Sequence, residues 1–154
     1  MKVTNLILAS SILILTNMLS SPAIAQTKLF KMTCVKSGRV FFEESNVSIA
    51  RQLFKSIMYM IYDTATITCD LTSSGQRFSQ LDLAFGISDG ERCRFSQFVS
   101  LYLDGKNVGN FELNSGILKT TRLNIAGKRS FFLAFQGANC AASGAVHFVN
   151  ATLR

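Results

Sequence analysis

Apolar and polar side chains alternate along residues 97–103, which is the period of a β-strand with one face in a core. One face carries aliphatic side chains and the other a mixed set: Val99, Leu101 and Leu103 against Phe98, Ser100 and Tyr102. Asp104-Gly105 follows directly and is a dipeptide typical of a two-residue hairpin turn. The alternation returns in residues 120–127, 129–137 and 145–153. Short strands at regular spacing, with no helical period between them, predict an all-β fold, either an antiparallel two-sheet β-sandwich or a barrel.

The first half of the chain adds further strands and one predicted helix. Strands are expected at residues 29–35, 39–42, 54–61, 64–71 and 78–87, with a turn at 72–76. Val47, Ala50, Leu53 and Phe54 recur at helical spacing after Ser45-Asn46, so a short helix is expected near residues 45–54. Because no linker, repeat or low-complexity segment interrupts the pattern, the chain is expected to form a single domain.

The N-terminal segment has the organisation of a secretory signal peptide. Lys2 precedes an apolar stretch at residues 6–19, and Ala23-Ile24-Ala25 supplies small residues for cleavage before Gln26. An uncleaved membrane anchor is the alternative, but the stretch is short and is broken by Ser, Thr and Asn. We therefore expect residues 1–25 to be removed and residues 26–154 to form a secreted or periplasmic domain without a membrane span.

The chain is basic, with a formal net charge of +7. Most Lys and Arg residues stand singly along the sequence, and only Arg92/Arg94 and Lys128/Arg129 form close pairs. Binding to a nucleic-acid backbone requires a clustered basic stripe, so no nucleic-acid partner is expected. A solvated basic surface, or weak attraction to anionic glycans, peptidoglycan or lipid headgroups, fits the distribution better.

The four cysteines fit an oxidising compartment. Cys34 shares a strand face with Phe30 and Met32, and Cys69 shares one with Ile67 and Leu71, so both should point into the core. Cys93 and Cys140 lie in loop-like stretches instead. We predict the pairs Cys34–Cys69 and Cys93–Cys140, with two free buried thiols at Cys34 and Cys69 as the alternative.

No catalytic or cofactor motif stands out. His147 is the only imidazole and lies within a predicted strand, where a histidine with a hydrogen-bonded ring is more common than a catalytic base. The sequence has no Gly-x-Ser-x-Gly elbow and no Cys-x-x-Cys pair, so no enzyme, metal site or cofactor is expected. Asp89 and Glu91 are typical of a turn, and calcium binding by these residues is the alternative.

The order of motifs from residue 54 to residue 153 resembles the NPCBM group of carbohydrate-binding modules. The matching pieces are FKSIMYMIYDTATITCDL, GQRFSQLDLAFGISDGE, FVSLYLDGKNVG, LNIAGKRSFFLAFQG and HFVNATL. The resemblance implies a galactose-binding-like jelly roll and a carbohydrate ligand. The chain departs from the group's pattern at Ser56 and Met60, where Gly and His are usual, and at Phe148, where Trp is usual.

If a glycan site exists, we expect it in loops at one end of the sandwich. Its candidate residues are those that could stack on a sugar or bond its hydroxyls and acidic groups: Tyr59, Tyr62, Asp89, Arg92, Arg94 and Asn139. A Cys93–Cys140 bridge would hold the two loops at 89–94 and 137–143 together. The alternative is a structural or protein-interaction domain of the cell envelope that has lost sugar binding, which the departures at Ser56 and Met60 favour.

Overall fold

A computed structural model describes residues 26–91, 96–137 and 144–154, with the backbone alone at residues 62 and 63. In these ranges the chain forms eleven strands and one short 3-10 helix, Leu29–Lys31. The strands are β1 (Thr27–Lys28), β2 (Cys34–Phe41), β3 (Ser45–Ile49), β4 (Gln52–Ser56), β5 (Met58–Asp70), β6 (Gln80–Ile87), β7 (Gln97–Leu103), β8 (Lys106–Leu113), β9 (Leu118–Asn124), β10 (Ser130–Gln136) and β11 (Val146–Leu153).

The strands form two antiparallel layers that share β5. The first part of β5 pairs with β11 through Met58 to Met60, and β11 continues to β6 and β9. The second part of β5, residues 64–70, pairs with β10, which continues to β7 and β8. β2 follows the other edge of β5 along both parts, with a bulge between Ser37 and Arg39. The predicted antiparallel two-sheet sandwich is therefore confirmed.

The core lies between the layers and follows the predicted alternation. Along β7, Val99 and Leu101 are fully buried while Phe98 is exposed. Phe85 of β6 meets Phe111 of β8 edge to face, with ring centroids 5.4 Å apart, and so joins the two layers. The turn between β7 and β8 has positive φ at Asp104 and Gly105, as the Asp-Gly dipeptide predicts.

The predicted helix at 45–54 is wrong, because this segment is the β3–β4 hairpin. Val47 and Ile49 are buried two residues apart, which is a strand period, and the connecting turn places Ala50 at φ 53 and Arg51 at φ 60. The predicted strand at 29–35 is also wrong in its first part, where the 3-10 helix precedes β2. In the described residues, no helix is long and apolar enough to cross a membrane.

The cysteine pair predicted to lie inside the sandwich is confirmed. Cys34 of β2 is directly opposite Cys69 of β5, and a disulfide joins them with the Cα atoms 4.1 Å apart. The alternative of two free thiols at these positions is therefore wrong.

Candidate functional site

Three rings lie side by side on the outer face of the layer that contains β2, β5 and β11. The strand register places Phe41 opposite Tyr59, and Tyr59 opposite His147. Because Met58 and Met60 point into the core, Tyr59 between them must point outward. We call Phe41, Tyr59 and His147 the aromatic row.

The rings of the aromatic row are in contact. The ring centroids of Phe41 and Tyr59 are 4.9 Å apart with an interplanar angle of 14°, a stacked pair. The Tyr59 and His147 rings are tilted, with centroids 5.6 Å apart. Phe41 is 39% exposed and lies on β2, so it is the end of the row that faces solvent. A ligand that stacks on the row would therefore contact Phe41 rather than Tyr59.

The hydroxyl of Tyr59 is also engaged. It donates a hydrogen bond of 3.2 Å to the Glu43 carboxylate. Burial, followed by this hydrogen bond, raises the pKa of Tyr59 above its ordinary value, so the phenol stays protonated at neutral pH. The hydrogen bond to Glu43 and the stacking on Phe41 together fix the orientation of the Tyr59 ring.

His147 is held in one orientation by a buried serine. The Ser56 hydroxyl donates to the Met58 carbonyl at 3.1 Å, and His147 Nδ1 lies 3.2 Å from the same hydroxyl oxygen. This contact hydrogen-bonds the Nδ1 side of the His147 ring to Ser56. Burial lowers the pKa of His147, while the nearby Glu91 opposes this shift. The ring is therefore neutral at pH 7 and hydrogen-bonded, as expected for a histidine within a strand.

Asp89 follows β6 and fixes the β3–β4 hairpin. Its Oδ2 accepts hydrogen bonds from Ser48 Oγ at 2.5 Å and from the Arg51 amide at 2.9 Å, and its own amide donates to the Ser48 carbonyl. The bond from Ser48 is the main reason that the pKa of Asp89 lies below its ordinary value. The Asp89 carboxylate is ionised at neutral pH. It stabilises the β3–β4 turn, in which Ala50 and Arg51 adopt a positive φ that non-glycine residues disfavour. No group of three potential metal-ligating side chains occurs in the described residues.

The topology brings the two predicted binding loops to the same end of the sandwich. Ile87, near the end of β6, pairs with Val146 at the start of β11, and Phe98 of β7 pairs with Gln136 at the end of β10. The segment at 88–96 connects β6 to β7, and the segment at 137–145 connects β10 to β11. The strand ends that these segments join therefore lie side by side at one end of the sandwich. Arg92, Arg94, Asn139, Cys93 and Cys140 lie outside the described residues, and of Tyr62 only the backbone is described. Their roles remain predictions.

Sequence reasoning missed Phe41 as a candidate. The signal was present, because the alternation in β2 buries Val40 and turns Phe41 outward at the level of Tyr59. Only the register between β2 and β5 shows that the two rings stack.

No family model and no curated protein matches the chain. Solved structures do match its fold. A CBM51 module from Clostridium perfringens GH95, solved in complex with methyl-galactose, has a TM-score of 0.68 and 15% identity over 84% of this chain and 100% of that one. The CBM51-2 and INT domains of Clostridium perfringens ZmpB, solved with GlcNAc, have a TM-score of 0.67 and 13% identity over 84% of this chain and 31% of that one.

Tandem CBM51 modules of Sp3GH98 from Streptococcus pneumoniae SP3-BS71 give a TM-score of 0.65 and 14% identity, covering 84% of this chain and 47% of theirs. At these identities the likeness concerns the fold. The resemblance to carbohydrate-binding modules that the sequence indicates is confirmed at that level, and the chain has the galactose-binding-like fold of CBM51 modules.

Proposed function

We propose that this protein is an exported, non-catalytic module that binds a carbohydrate at the loop end of its sandwich. The observation that carries the proposal is the fold match over the full length of a module solved with methyl-galactose. The Cys34–Cys69 disulfide supports export, because such bonds persist in oxidising compartments. Cleavage before Gln26 would leave the domain of residues 26–154.

The proposed site combines an aromatic surface with polar loop groups. Phe41 offers a ring face to the C–H side of a sugar, and the aromatic row behind it fixes that ring in place. Arg92, Arg94 and Asn139, in the adjacent loops, would donate hydrogen bonds to hydroxyls or to an acidic group. A Cys93–Cys140 bridge would hold these loops together.

The test is a glycan array with the purified domain of residues 26–154, followed by calorimetry with the best ligand. Phe41→Ala should weaken binding about fivefold, the value of one aromatic contact. Phe132→Ala is the matched control, since Phe132 also contacts a tyrosine ring, with its centroid 5.3 Å from that of Tyr102, but lies near the opposite end of the sandwich. Equal affinity of the two variants would exclude the aromatic row from the site.

A structural or protein-interaction role in the cell envelope is the second candidate. Two observations favour it: the half-buried Tyr59 ring already contacts Phe41 and His147, and the Asp89 carboxylate accepts hydrogen bonds from the β3–β4 hairpin. No binding on the array at high protein concentration, together with envelope proteins recovered by cross-linking, would select this role instead.

A further inference from the structure

A second concave site lies at the opposite end of the sandwich. Its walls are the loop from β5 to β6 and the turn from β9 to β10, and it encloses about 480 Å³. This volume lies within the range of small-molecule sites, roughly 300–1,000 Å³. The 8-residue strand β6 runs from this end to the loop end, so at about 3.3 Å per residue the two ends are about 26 Å apart. We call this site the cationic cleft; it is lined by Leu71, Gln76, Arg77, Phe78, Lys128 and Arg129, among others.

The walls of the cationic cleft are held at a fixed separation. The Leu71 amide donates to the Arg129 carbonyl on one side, and the Ile125 amide donates to the Ser79 carbonyl on the other, both at 2.9 Å. Each wall is itself a tight turn with a glycine at positive φ, Gly75 in one and Gly127 in the other. The cleft is therefore preformed, and a ligand would bind without a large cost of ordering the loops.

The cleft carries a net positive charge. Three of its lining residues are basic and none is acidic. Lys128 is paired with Asp104, whose Oδ2 lies 3.7 Å from Lys128 Nζ while its Oδ1 accepts the backbone amides of Arg129 and Ser130. In the described part of the chain, the side chains of Arg77 and Arg129 make no hydrogen bond or ion pair. Arg77 and Arg129 both line this concave space. Two guanidinium groups at one site attract an anion with paired oxygens.

The base of the cleft is apolar. Leu71 and Ile125 are buried at its base, and the ring of Phe78 is half-buried against the core. A ligand that contacts both the arginines and the Phe78 ring needs an anionic group for the arginines and a C–H face that packs on the ring. We infer that the cationic cleft is a second binding site, which takes an acidic sugar residue of a polysaccharide, carboxylated or sulfated.

The shape of the cleft selects a sugar over a lipid surface. A bilayer is reached by apolar side chains that project outward beside basic residues. Here the apolar groups form the base of a depression between two turns, where one ring of a sugar chain fits and a flat membrane has no access. This site shares no residue with the loop end, so it is independent of the proposed function.

The test is calorimetry of the domain of residues 26–154 with hexagalacturonate, its methyl ester and a heparin hexasaccharide. Arg77→Gln/Arg129→Gln should weaken binding of the anionic probe at least tenfold, because two charge-assisted contacts are lost. Lys55→Gln/Lys119→Gln removes the same charge outside the cleft and should change affinity less than twofold. Amide shifts of Gly75 and Gly127 in NMR spectra should follow the titration.

Binding of either acidic probe with this pattern supports the inference. Equal losses in the two double variants, binding of the methyl ester as tight as that of the acid, or no binding of any acidic probe would overturn it. Competition of the acidic probe by anionic phospholipid vesicles at equal affinity would also overturn it, in favour of a membrane surface. Phe41→Ala should leave the affinity unchanged, so failure of the loop-end site can be distinguished from failure of this one.

Discussion

The Cys34–Cys69 disulfide gives the sharpest stability prediction. It closes a loop with a sequence separation of 35 residues. In the chain-entropy model, closing a loop of this length lowers the entropy of the unfolded chain and raises its free energy by about 3.8 kcal/mol at 25 °C. Cys34→Ala/Cys69→Ala should therefore lower the free energy of unfolding by about 3–5 kcal/mol, a large part of the stability of a domain of this size. β2 and β5 remain hydrogen-bonded, so the native fold should persist.

The assay is urea unfolding of the oxidised wild type and of the double variant, followed by circular dichroism. Both proteins keep Cys93 and Cys140, so the difference reports the Cys34–Cys69 bond alone. The slope with urea should rise in the variant, because its unfolded chain exposes more surface. A loss below about 1 kcal/mol with an unchanged slope would refute the reasoning, since it would mean that the bond does not restrict the unfolded state.

Three further predictions concern backbone strain and titration. A Cβ on Gly38, at φ +75, would lie 2.4 Å from the Thr64 carbonyl oxygen, whereas one on Gly75, at φ +71, meets nothing within 4 Å. Gly38→Ala should thus cost about 2 kcal/mol or more beyond Gly75→Ala in urea unfolding. Hydrogen bonds from the Ser130 and Arg129 amides hold the pKa of Asp104 below its ordinary value, so stability should be full above pH about 4 and should fall as acid protonates the native carboxylate. Asp104→Asn should flatten that decline in acid unfolding curves, and an unchanged curve would contradict it. Burial lowers the pKa of His147 in the folded chain. Below pH about 6.5, the imidazole is therefore protonated to a greater extent in the unfolded chain than in the folded one. Stability should fall from that pH downward, and His147→Gln should remove this part of the pH profile.

The alternation of apolar residues predicted the strands that bury one face in the common core, such as β6, β7, β10 and β11. It did not predict β8, in which Leu113 alone is buried, and it divided the continuous strand β5 into two. It failed at 45–54, where the four apolar positions are equally compatible with a helix and a hairpin. Neither Ala50 nor Arg51 is a residue type, such as Gly or Asn, that would indicate a positive φ at these positions. The turn depends on the Asp89 carboxylate, which lies 38 residues away from Arg51 and accepts its amide proton.

The sites were less predictable than the strands, because they depend on register. Tyr59 is a candidate by residue type, yet its ring is half-buried and contacts those of Phe41 and His147. The cationic cleft joins residues that are about 50 positions apart, such as Arg77 and Arg129. Only the hydrogen bonds that tie the two turns together bring those positively charged groups to one depression.

β5 has a mechanical consequence for the whole domain. Its 13 residues contribute hydrogen bonds first to one sheet and then to the other, and β2 accompanies it across the change. The two sheets cannot separate without loss of the hydrogen bonds of this common strand. Partial opening of the core between the sheets therefore costs much free energy, and unfolding should be all-or-none. Amide protons of β5 should consequently be the slowest in the molecule to exchange with deuterated solvent.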